Sequence, residues 1–155
     1  MYTMRTMEEL YESYLAKRSI DLTLEQFTLF AEFFPAVLVI LSDGTLDAEE
    51  KLYLGKLAKS LAQAFSEDGL GNKRIKELQN TFIREFEYLV KNVEFWKDKY
   101  LLALKNHLED FPESKETILD TLYLFAEKSQ DVDEAENNMI LYLTKKLNLM
   151  NTKMA

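Results

Sequence analysis

VILSDGTLDAEEKLYLGKLAKSL (39–61) lies over FAEKSQDVDEAENNMILYLTKKL (125–147) without a gap, at a constant offset of 86 residues. Leu46 falls on Val132, Asp47 on Asp133, Glu50 on Glu136, Leu54 on Ile140, Leu57 on Leu143 and Leu61 on Leu147. Each copy reads as an apolar helix, an acidic turn, the pattern Asp-x-x-Glu and an amphipathic helix, because the apolar positions after the turn recur every three or four residues. This unit decides the fold. It predicts an all-α, single-domain bundle of about seven helices spanning 1–155, with an internal helix-turn-helix repeat whose halves lie near 23–65 and 112–149.

Working outward, residues 3–18 place Met7, Leu10, Tyr14 and Leu15 on one helical face. Thr23 with Gln26 three residues on is a capping box, and Phe27, Phe30, Ala31 and Phe34 form the stripe behind it. Pro35 then kinks that helix or opens the next, which is apolar on most of its circumference from Ala36 to Leu41 and so belongs at the centre of the bundle. SEDGLGN (66–72) is a loop. From Lys73, Ile75, Leu78, Phe82, Phe86 and Leu89 mark a helix that Asn92 ends, capping another with Trp96, Leu101, Leu104 and Leu108 inside. Phe111-Pro112 breaks the pattern, and a helix capped by Ser114 buries Ile118, Leu122, Phe125 and Ala126. The last helix, from Asp133, buries Met139, Ile140, Leu143 and Leu147. Leu38, Leu41, Leu122 and Phe125, which lead into the two acidic junctions, are expected to share central, buried positions.

A chain of 155 residues with 47% hydrophobic and 30% charged residues is large enough for a continuous core without staples. Its formal charge of −8 sets up a field that repels phosphate backbones and anionic lipid, so nucleic acid and membrane insertion are not expected, whereas cations and basic protein surfaces are. The absence of cysteine removes disulfides, thiolate metal sites and Cys nucleophiles. A single histidine, His107, leaves little for a catalytic triad or a zinc site. The apolar run Phe27–Leu41, interrupted by Glu32 and Pro35, is short for a membrane span, and the N-terminus lacks a secretory pattern. The cytoplasm is the expected location.

The acidic turns admit two readings. In one, Asp47 and Asp133 are N-caps that accept from first-turn N–H groups, while Glu50 and Glu136 reach back to the caps' own N–H groups; each cap is worth about 1 kcal/mol. In the other, Asp43, Asp47, Glu50, Asp131, Asp133 and Glu136 gather hard oxygen ligands that hold a divalent cation, calcium or magnesium. The turn is not an EF-hand, since Leu54 occupies the twelfth position counted from Asp43, where a bidentate Glu is required.

VLVILSDGTLDAEEKLYLGKLA and the downstream LYLFAEKSQDVDEAENNMILYLTKKLNL together resemble the TerB-like tellurite-resistance family over about Leu22 to Leu149. Asp43, Gly44, Asp47 and Glu50 match the family's DG-x-x-D/S-x-x-E form; in the second copy Ser129 and Gln130 stand where the family often has Asp-Gly. The resemblance implies an all-helical, non-enzymatic protein of tellurite or chemical-stress resistance that binds metal ions and a protein partner through its acidic surface. Tellurite itself is an anion, which the negative field disfavours as a direct ligand.

Other features read as structure. His107, on a helix next to Leu108, is a packing histidine, and Phe82, Phe86, Phe95, Trp96 and Tyr100 are core at helical spacing. Methionines near the termini offer an adaptable surface for a partner or for a homo-oligomer. A metal-dependent enzyme is the remaining reading, disfavoured because a di-metal bundle site needs Glu-x-x-His and Leu104 stands three residues before His107.

Overall fold

The computed structural model describes residues 6–42, 48–66, 69–128 and 134–150, with 124–128 in backbone only. The chain is all-α, and the described residues include no strand. Among the described residues eight helices follow one another: α1 (Met7–Arg18), α2 (Leu24–Glu32), α3 (Phe34–Leu41), α4 (Ala48–Gln63), α5 (Asn72–Lys91), α6 (Val93–Asp110), α7 (Ser114–Lys128) and α8 (Glu134–Lys146). Only Phe33 separates α2 from α3, and Pro35 lies in the first turn of α3, where its missing N–H costs no helical bond. The chain divides into two compact units, one of residues 1–45 with 94–155, the other of 46–93.

In the first unit α3 is the central element. Every side chain from Phe34 to Ile40 is buried, as its apolar circumference requires, and α3 packs on α2, α7 and α8. Leu24–Leu41 as a whole is apolar and long enough to cross a membrane by composition, yet most of it is covered by protein. Of the residues expected at central positions, Leu38 and Leu122 are buried and Leu41 is half-buried; Phe125 lies outside the residues with described side chains.

A second cluster joins α1, α2, α3 and α6. The Tyr14 ring meets Phe27 at 5.3 Å and Trp96 edge-on at 5.0 Å, Trp96 stands at 90° to Tyr100, and Tyr100 lies 4.5 Å from Phe34. Edge-to-face pairs of this kind put the positive ring edge on a negative ring face. Phe95 departs from the expected core set: it is 48% exposed, and the ammonium groups of Lys17 and Lys99 sit 5.0 and 4.3 Å from its ring centre. Helical geometry explains the departure, since residues 95 and 96 point about 100° apart and only one can face the cluster. Leu15 and Met139, also expected inside, are half-buried.

Local signals set the helix ends. Thr23 accepts from the Gln26 N–H at 3.1 Å and the Gln26 side chain accepts from the Thr23 N–H at 3.0 Å, the box read from sequence. Thr6 and Glu9 form an identical box at the start of α1. Asn92 does not cap α6 as expected; its side-chain amide donates to the Tyr88 carbonyl at 2.8 Å and closes α5 instead. At the end of α8, Asn148 adopts φ 53°, and the N–H groups of Asn148 and Leu149 bond back to Lys145 and Thr144.

In the second unit α4 packs along α5, burying Leu54, Leu57, Ala58, Leu61 and Ala62 from α4 and Leu78, Phe82, Phe86 and Leu89 from α5. The loop between them uses Gly69 at φ +81°, a conformation that costs glycine little.

Candidate functional site

The two acidic junctions connect α3 to α4 and α7 to α8. Asp43, Asp47, Asp131 and Asp133 lie outside the described residues, as does Gly44. Glu50 and Glu136 are described, each in the first turn of its helix, where a negative charge meets the positive end of the backbone dipole. Glu50 is half-buried and Glu136 only 6% exposed, and both are engaged by other groups of the protein. Their helix neighbours Glu49 and Glu134 are exposed. Glu50 and Glu136 thus turn toward protein at equivalent positions of the repeat.

Beyond them the two copies keep the same buried register. Leu54 and Ile140 are 5% and 2% exposed, Leu57 and Leu143 9% and 0%, Leu61 and Leu147 2% and 1%. Among the described residues no group of three or more His, Asp or Glu side chains is placed to hold a metal ion. Three residues beyond Glu50, Tyr53 has its phenol pKa raised above the ordinary value by burial.

His107 and Glu32 form a pair that sequence reasoning left apart. His107 Nε2 lies 3.0 Å from Glu32 Oε2, and the two side chains are 11% and 9% exposed. The contact is a hydrogen bond between imidazole and carboxyl whose donor depends on the histidine tautomer. The His107 ring also lies 4.9 Å from that of Phe111. A signal for the pair was present: Glu32 interrupts the most apolar run of the chain, and a carboxylate buried there needs a partner.

Concave regions lie in both units. Within the second unit, Lys51, Leu54 and Gly55 of α4 and Ile83, Glu87 and Val90 of α5 line a hollow of about 200 Å³. Within the first, Leu101, Leu102 and Lys105 of α6 and Tyr142, Lys145 and Lys146 of α8 line two adjoining hollows. Compared with known protein families, curated proteins and solved structures, the chain matches none.

Proposed function

We propose that this chain is a non-enzymatic binding or adaptor module, of the kind the TerB-like resemblance implies, which works in the cytoplasm during tellurite or other chemical stress. Its acidic helix junctions take a divalent cation, calcium or magnesium, and present the loaded surface to a protein partner. The observation that carries this reading is the register of the repeat, in which Leu54, Leu57 and Leu61 are buried in step with Ile140, Leu143 and Leu147 behind each junction. Matched stripes support reading the two acidic segments as copies of one sequence unit.

A specific observation also favours capping as the sole role of these turns. Glu136 is buried and engaged, and a carboxylate already satisfied by protein has fewer lone pairs for a cation.

Calorimetric titration of metal-stripped protein with calcium, magnesium and manganese separates the two. Asp47→Asn keeps a side chain of similar capping rank, so capping alone predicts a stability loss of only a few tenths of a kcal/mol, roughly. Under the cation reading Asp43→Asn and Asp47→Asn abolish the calcium-induced rise in melting temperature while leaving metal-free stability near that of the parent. If the parent shows neither heat nor thermal shift with any of the three ions at about millimolar concentration, the turns are caps.

A further inference from the structure

Lysines gather in one groove of this acidic molecule. Lys105, Lys145 and Lys146 line the adjoining hollows between α6 and α8, about 340 Å³ each, and the ammonium of Lys97 lies 5.4 Å from the centre of the Tyr142 ring beside them. Asp98 lines the second hollow as well. Four lysines against one carboxylate give the groove a net +3 on a chain of net −8, so the rest of the molecule carries −11. Lys105, Lys145 and Lys146 are exposed, and among the described residues neither they nor Asp98 take part in an ion pair. The dipole of α8 accounts for Lys145 and Lys146 at its C-terminal end, but not for Lys97 and Lys105, which α6 carries before its last turn.

Between the lysines lies apolar surface. Leu101 is fully buried beneath it, while Leu102 and Tyr142 are 40% and 41% exposed. Residues 98, 101, 102 and 105 of α6, and 142, 145 and 146 of α8, recur at spacings of three and four, so each helix gives the groove one continuous stripe. A matching occupant brings carboxylates for the lysines and an apolar side chain for Tyr142 and Leu102. Lysine suits carboxylates spread along a groove, because it acts as a point charge on a flexible stem and does not demand the fixed fork geometry of arginine. Inorganic phosphate would meet the ammonium groups and leave the apolar centre wet. A DNA duplex carries a charge about every 1.7 Å, so it would run out of the groove and meet the repulsion of the remaining −11. A short acidic segment ends where the lysines end.

We propose that the groove between α6 and α8 docks an acidic peptide segment of a partner protein, its carboxylates meeting Lys97, Lys105, Lys145 and Lys146 around an apolar side chain seated on Tyr142 and Leu102. The opposed charges supply attraction and orientation, and the apolar centre supplies burial. The acidic junctions and any cation they hold take no part in this contact.

Fluorescence polarisation of the full chain with a labelled peptide, glutamates flanking a central Leu-Phe pair, tests it. Binding is expected with a Kd of about 10–100 μM at about 50 mM salt, weakening by at least about tenfold at about 500 mM. The double variant Lys105→Glu with Lys146→Glu is expected to weaken it by at least about tenfold, and Tyr142→Ser by about threefold or more. Lys73→Glu with Lys76→Glu, exposed on α5 and no part of the groove, makes the same change in net charge and is expected to weaken binding far less, which separates the groove from the overall field. A peptide with serines in place of the Leu-Phe pair is expected to bind at least about threefold more weakly. Melting temperature and circular dichroism check each variant; should the double variant melt below the parent, Lys105→Gln and Tyr142→Ser singly carry the comparison. A parent that does not bind the peptide at about 1 mM overturns the proposal. So does a groove variant that binds like the parent or like the Lys73 and Lys76 variant, or a serine peptide that binds as well as the first. Equal or tighter binding of a single-stranded oligonucleotide of the same charge would also overturn it, assigning the groove to nucleic acid.

Discussion

Glu32 shows what a single residue imposes on its surroundings. Burying a carboxylate in the apolar α2–α3 segment is tolerable only because His107, from α6, comes within hydrogen-bond distance. His107→Leu removes the partner but leaves the acid buried, and is expected to lower stability by about 1–3 kcal/mol in urea denaturation. Adding Glu32→Leu removes the stranded group and recovers most of that loss, because two apolar side chains then fill the site. A silent single variant, or a double variant no better than the single, would show that the pair carries no coupling. Half of this pair was legible beforehand: His107 was read as structural, and Glu32 stood out within an apolar run. Their meeting was not legible, since residues 75 apart in sequence are joined only by the packing of α2 against α6.

At the scale of elements, the sequence was most readable where period and caps agree. The spacing of Ile75, Leu78, Phe82, Phe86 and Leu89 located α5, and the box at Thr23 located the start of α2. The box at Thr6 and Glu9 obeys the same rule and was open to the same reading. Asn92 was ambiguous for a physical reason: its side chain serves either helix end, and with α5 and α6 nearly contiguous only geometry chooses. The candidate cation site was legible only as a pattern, and of its six carboxylates Glu50 and Glu136 alone fall among the described residues. One position in α4 invites a direct test. Gly55 lies inside the helix, and a Cβ built there meets no atom within 4 Å. Gly55→Ala therefore removes the entropic cost of glycine without a clash, and is expected to raise stability by about 0.5–1 kcal/mol. A lower midpoint in denaturant would mean that the hollow beside α5 does not tolerate a methyl group.

For the molecule as a whole, the decisive contacts are those between helices far apart in sequence. Trp96 is fully buried and meets Tyr14 and Tyr100 edge-on, so it ties α1 to α6 across 82 residues of chain. Its neighbour Phe95, exposed beneath two lysines, provides an internal control of similar size and opposite environment. Trp96→Ala deletes a buried aromatic and leaves a cavity, which costs about 3–5 kcal/mol. Phe95→Ala loses partial burial and exposed cation–π contacts worth about 0.5–1 kcal/mol each. Against a typical total stability of about 5–15 kcal/mol, the first change removes a substantial share and the second little. For a chain of this length the expected shifts in melting temperature are about 10 °C or more for Trp96→Ala and a few degrees for Phe95→Ala, roughly. Trp96 is also the only tryptophan, so the parent's emission reports this cluster directly and is expected to be blue-shifted and poorly quenched by acrylamide. Equal thermal shifts for the two variants, or a readily quenched Trp96, would show that the aromatic cluster is not what holds these helices together.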